Sequence, residues 1–171
     1  SQTEHKVQTI AAYNNLGINL MLLGDWLRAE EMIQVALEIA IDVDHPHIAG
    51  ILDSLAELKM LRNELDEAEE LVKQGIKIAE ERDRLWYTIQ AKRTLGRCYL
   101  AGRKYKKAIE TAKENIADCT EMGETQFLNL SRLVLAEAYL GKGDKKKCES
   151  ELDIIEEEGP ESDLFVLGSV Q

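Results

Sequence analysis

Only two prolines occur in 171 residues, so little in the chain interrupts helices, and the abundance of Ala, Leu, Glu and Lys favours long ones. No apolar run approaches the roughly 20 residues that a membrane-spanning helix requires, and no signal-peptide pattern opens the chain. Histidine is scarce: His5, His45 and His47 are the whole supply, which leaves almost no material for histidine-dependent catalysis. Nothing resembles a phosphate-binding glycine loop, a nucleophile elbow or a zinc-hydrolase helix. The cysteines Cys98, Cys119 and Cys148 are odd in number and lack metal-ligand spacing, which reads as reduced thiols in a reducing, cytoplasmic compartment. A formal charge of −11 disfavours nucleic acid and anionic membrane as partners, because both would be repelled.

What the chain has is repetition. Leu16-Gly17, Leu55-Ala56, Leu95-Gly96 and Leu135-Ala136 each join a leucine to a tiny residue, at steps of 39, 40 and 40. Twelve residues after each lies another small residue: Ala29, Ala68, Ala108 and Cys148. A fixed period of this size marks a solenoid, whose units bury their apolar faces only by stacking on one another.

Within a period the apolar residues keep helical spacing and break once. Ala12, Leu16, Leu20 and Leu23 form one stripe; after Gly24-Asp25, a second runs through Trp26, Ala29, Ile33, Ala36 and Ala40. Turns are expected at Gly24-Asp25, Arg62 to Glu64, Gly102 to Lys104 and Gly141 to Asp144, with Asn63 supplying the left-handed conformation where glycine is missing. Each period is thus two antiparallel helices, A and B, which approach at the small residues. The four repeats are expected at roughly 8–45, 46–84, 85–123 and 124–160, as one array spanning 1–171.

These residues resemble a tetratricopeptide repeat (TPR) array over nearly the whole chain. The leucine–small pair followed by Leu20 or Tyr99 and then by Ala29 or Ala108 carries the resemblance, as do the Gly24-Asp25-Trp26 turn and Pro160 at the place of a closing proline. The family's usual period is 34 residues; the longer period here is similar to that of arrays in bacterial regulatory proteins. The resemblance implies an all-α fold, an α-α superhelix of four helical hairpins. Residues 161–171 are expected to begin a further repeat or to form a capping helix. Their apolar run Leu164 to Leu167 suggests that the chain is a fragment of a longer protein.

The resemblance also implies where a partner would bind. A helices line the concave face in this family, which would present Asn14, Asn15, Ile18, Met21 and Leu22, then Asp53, Ser54, Glu57 and Met60. Arg93, Thr94 and Arg97 follow, and then Leu133, Val134, Glu137 and Leu140. Asn15 offers both a donor and an acceptor to a ligand backbone. Arg93 and Arg97, one turn apart, either hold an acidic group or pair with Asp53, Glu57 or Glu137. A clamp for a terminal carboxylate, known in part of the family, is disfavoured by Ile18, Ser54, Glu57, Thr94 and Leu130 at the corresponding places.

Asp42, Asp44, His45 and His47 lie close in sequence, but their place between repeats suits helix capping, with Asp44 or His45 as cap and Pro46 in the first turn. No metal or cofactor is expected. Two basic clusters, Arg103 to Lys107 and Lys142 to Lys147, fall at consecutive A–B turns and would share an edge. That edge serves either as a dock for an acidic partner or simply for solubility. Trp26, Trp86, Tyr105 and Phe127 are expected to pack repeats together.

The function indicated is a non-catalytic protein-interaction module that binds a peptide or helix in the concave groove, within a larger regulatory protein. The alternative is a sensor of a small ligand or peptide signal that controls an attached transcription factor, kinase or cyclase domain. Self-association through the C-terminal end is a third reading.

Overall fold

The computed structural model describes residues 2–158, and the side chains of residues 6–157. Eight helices form: α1 (Gln2–Leu22), α2 (Trp26–Asp42), α3 (Ile48–Leu61), α4 (Leu65–Glu81), α5 (Leu85–Ala101), α6 (Tyr105–Met122), α7 (Thr125–Gly141) and α8 (Lys145–Glu158). Among the described residues there is no strand, and the odd and even helices are the A and B members of four hairpins. None of these helices is long and apolar enough to cross a membrane. The expectations for Pro160, for residues 161–171 and for the His5 side chain lie outside the described residues.

Two compact units divide the chain between Ala91 and Lys92, inside α5. The core of the first joins Ile10, Leu20 and Met21 of α1 to Ala29, Ile33 and Ala36 of α2 and to Ile51, Leu55 and Leu58 of α3. In the second, Ala112 of α6, Val134, Leu135 and Tyr139 of α7 and Cys148 of α8 are packed by Leu100, Ile109 and Ile116.

The small residues set the distance between A and B helices. A Cβ on Gly17 would stand 2.5 Å from Cγ1 of the fully buried Ile33 and 3.1 Å from the Ala29 carbonyl oxygen. Ala29, Ala68 and Ala108 are wholly buried, and Cys148 is buried at the equivalent place. All three cysteines are free and buried, and burial pushes the Cys119 thiol up to about 11, which makes it a packing group.

One backbone device ends every helix from α1 to α7. A residue with positive φ follows the helix: Gly24, Asp44, Asn63, Asp83, Arg103, Gly123 and Gly143. The next N–H then donates to the carbonyl five residues back, as in Asp25 to Leu20 (2.9 Å), Glu64 to Lys59 (2.9 Å) and Lys104 to Tyr99 (2.7 Å). This is the six-to-one bond of a Schellman stop. At the third A–B turn the sequence points to Gly102, yet Arg103 takes the left-handed conformation, with φ 55. The reason is register: Arg103 holds the place of Gly24, Asn63 and Gly143, and the stop is dictated by place.

The start of α3 also differs from expectation. Pro46 precedes the helix, in a turn where the Ile48 N–H donates to the His45 carbonyl at 3.3 Å. The N-cap is His47, which makes no side-chain capping bond, because its ring faces Tyr87.

The first A stripe is less buried than its pattern suggests. Leu16 is 44% exposed where Leu55 is 5% exposed, and Ala12 and Leu23 are also open. Within the first unit α3 packs on both α2 and α4, whereas α1 packs on α2 and α3 and its Leu16 side is left open. Trp26 and Trp86, expected as packing residues, are each 40% exposed, while Tyr105 and Phe127 are half-buried.

Candidate functional site

The repeat register sorts the A-helix residues into columns. Asn14, Asp53, Arg93 and Leu133 hold one place; Ile18, Glu57, Arg97 and Glu137 hold the place one turn on. Asn15, Ser54, Thr94 and Val134 form a third. Burial separates them: Ser54, Thr94 and Val134 are buried, so the third column packs in those repeats, and only Asn15 is open. Ser54 spends its hydroxyl on the Gly50 carbonyl, 3.1 Å away.

In the first unit, Asn14 is buried and its Oδ1 has no hydrogen-bond partner. Asp53 is buried too, and its Oδ2 accepts from Gln90 Nε2 at 3.0 Å. Ile18 and Glu57 are half-buried beside them, and Met21 belongs to the core. The unit therefore carries buried polar atoms on its A helices where an interior would normally be apolar.

In the second unit, the Arg93 guanidinium lies over the Phe127 ring, 5.8 Å from its centroid. Such a contact holds the guanidinium against the ring face. Arg97 is half-buried and Glu137 is exposed. Lys92 and Asp118 pair at 2.6 Å, tying α5 to α6.

Sequence reasoning did not foresee several polar contacts. Lys59 donates to Glu30 (2.9 Å), Glu64 (2.9 Å) and Glu67 (3.0 Å), and Arg62 joins Glu30 and Glu64. Burial works against the Lys59 charge, yet the hydrogen bonds to these carboxylates hold its pKa above the ordinary lysine value. The hydrogen bond from Lys59 likewise keeps Glu30 below the usual carboxylate range. Asn115 Nδ2 donates to Ser131 Oγ at 2.9 Å in the interior of the second unit. These pairs join residues 2 to 32 apart, with no common spacing to betray them.

The junction at 42–47 is divided among separate partners. Asp42 meets Lys6 at 2.6 Å, Asp44 pairs with Arg82, and His45 Nδ1 accepts from the His47 N–H at 3.2 Å. His47 Nδ1 lies 2.8 Å from the Tyr87 hydroxyl.

Two clefts of the first unit lie away from the candidate residues. One of about 270 Å³ is framed by Glu30, Gln34, Leu55, Lys59 and Gln74; one of about 520 Å³ is open and framed by Lys6, Glu38 and Asp42.

Residues 8–81 match the family model of the tetratricopeptide repeat. No curated protein sequence matches the chain significantly. Among solved structures, BtubC (BKLC) from P. vanneervenii is similar, at 19% identity and a TM-score of 0.75 over 86% of this chain. A Rap protein complexed with Competence and Sporulation Factor is similar at 26% identity and a TM-score of 0.73, also over 86%. Aspartyl phosphate phosphatase F from Bacillus subtilis is 15% identical, with a TM-score of 0.71 over 90%, a likeness of fold alone. The chain spans 62%, 41% and 49% of these three structures' chains, respectively, and so corresponds to part of each.

Proposed function

We infer that this chain, whose residues 8–81 match the tetratricopeptide-repeat family model, is a non-catalytic protein-interaction module that holds a peptide or helix of its partner against its A-helix faces. The observation that carries this reading is the Asn14 amide: a buried acceptor with no protein partner, at the register place that Asp53 and Arg93 hold in later repeats. A buried, unmet acceptor costs on the order of 1–3 kcal/mol, which a ligand N–H admitted by a shift of the covering side chains would recover. Ile18 and Glu57 beside this column, with Arg97 and Glu137 at their register place, would add an apolar contact and charges that select the ligand.

The test is a pull-down with the intact chain as bait, beside Asn14→Leu and Arg93→Glu/Arg97→Glu, with circular dichroism confirming that the variants keep their helices. The expected result is a partner retained by the wild type and lost from both variants. A partner retained equally by all three would remove the A faces from the site.

A second reading is a ligand-responsive regulatory domain acting on an attached effector. The likeness to a Rap protein solved with Competence and Sporulation Factor favours it. Binding would then shift the balance between two arrangements of the hairpins. Retention of nothing by any bait would move weight to this reading.

A further inference from the structure

The two A–B turns of the second unit lie side by side. A Cβ on Gly141, at the end of α7, would overlap the Tyr105 ring at the start of α6, so the turn at 102–104 sits against the turn at 142–144. Both turns are exposed and both feed lysines into the helix that follows: Lys106 and Lys107 in α6, Lys145 to Lys147 in α8.

The lysines of this edge are held but mostly not neutralised. Lys107 Nζ lies 5.4 Å from the Tyr99 ring centroid, and Lys147 Nζ lies 5.4 Å from that of Tyr139. Lys147 also pairs with Asp144 at 2.9 Å. Among the described residues, Lys106, Lys145 and Lys146 make no ion pair. The nearby carboxylates on the helices themselves are Glu110 and Glu149. The same register in the second hairpin holds Lys59 and Glu67, which form a 3.0 Å ion pair. There the cation is cancelled; in the third and fourth hairpins a ring takes the place of the first partner, and Lys107 keeps its charge available while Lys147 shares its charge with Asp144.

The placement also works against helix stability. Cations in a first turn face the positive end of the helix dipole; α6 has no acidic residue there to offset them, whereas at α8 Asp144 accepts from the Lys147 N–H at 3.3 Å. Acidity is concentrated elsewhere: residues 1–91 hold 17 acidic and 8 basic residues, residues 92–171 hold 15 and 13, and residues 92–113 hold one acidic and eight basic.

We propose that the paired A–B turns of α5–α6 and α7–α8 form a docking edge for an acidic, Asp/Glu-rich polypeptide segment of a partner. Charge complementarity selects the occupant, and the Tyr99 ring pre-positions the Lys107 ammonium that meets it beside Lys106, Lys145 and Lys146. A polypeptide suits this edge better than nucleic acid, because the net charge of −11 repels a continuous phosphate backbone beyond the patch. The edge is separate from the A faces and does not depend on what they bind.

The test measures the anisotropy of a fluorescein-labelled oligoglutamate peptide with the full chain at low salt. Lys106→Gln/Lys146→Gln is compared with Lys73→Gln/Lys77→Gln on α4, which removes equal charge elsewhere. The expected result is about tenfold weaker binding for the first double variant and little change for the second. Melting of the first variant should be unchanged or higher, since the lost cations oppose the dipole. Absence of binding by the wild type, equal weakening in both variants, or no weakening in the first would overturn the proposal. Tighter binding of a single-stranded oligonucleotide of equal length would overturn it as well.

Discussion

Four of the seven left-handed stops are held by residues other than glycine, and they differ in strain. Asn63, with φ 61, is a residue that tolerates this region, whereas Arg103, with φ 55, has a long side chain of a type that rarely enters it. Arg103→Gly should therefore stabilise the chain by about 1 kcal/mol, and Asn63→Gly by only a few tenths, read from urea unfolding midpoints. Equal gains at both would show that the side chain does not set the strain. His47 gives a second prediction at this scale. Burial, then the neighbouring His45, holds its pKa below the ordinary histidine value, with Tyr87 OH against its ring and Arg82 and Asp44 paired nearby. The unfolded chain takes up this proton near pH ~6.5 while the folded chain resists it. Stability is then complete above that pH and declines as pH falls through it. The melting temperature should drop between about pH 7 and 5 and drop less in His47→Gln; identical slopes would remove His47 as the cause. Glu30, Asp42 and Asp144 are also held low, but their loss belongs to more acid solution. Asn63 as a turn residue was legible in the sequence; the His47–Tyr87 contact, 40 residues apart, was not.

At the scale of helices, the small residues act as spacers between A and B. Gly17→Val would drive a branched side chain into Ile33, which is fully buried and cannot retreat, so a loss of about 2–3 kcal/mol is expected in chemical denaturation. A loss below about 0.5 kcal/mol would mean that α1 and α2 can slide apart at no cost. Periodicity and the small-residue step made the hairpins legible, because every copy must solve the same packing problem. They did not reveal which apolar residues would stay exposed. Leu22 and Leu23 are 76% and 82% exposed although they continue the α1 stripe, since the helix stops beneath them and the chain turns away. The candidate columns were half legible. Register places Asn14 with Asp53, and Ile18 with Glu57, but burial alone separates Asn15, open on α1, from its buried counterpart Ser54.

For the molecule as a whole, the repeat identity follows from four registered copies, whereas the partner is written in residues that differ between copies. The spacer places Ala29, Ala68, Ala108 and Cys148 stay small; exposed turn places change their chemistry. At one turn position the four hairpins carry Leu27, Asp66, Lys106 and Lys146, and at the next Arg28, Glu67, Lys107 and Lys147. Raising ionic strength should thus weaken oligoglutamate binding to the second unit steeply, as for any exposed charge cluster. A salt-independent affinity would point to apolar contacts instead. The exchange of Lys59–Glu67 for Tyr99–Lys107 at one register shows that the frame accepts either kind of clasp between its paired helices. Recognition is then transplantable: writing Lys59→Tyr together with Glu67→Lys leaves Arg62 to serve Glu30 and carries a cationic surface into an acidic hairpin. A chain built this way can acquire new company by editing its corners, leaving its interior unread.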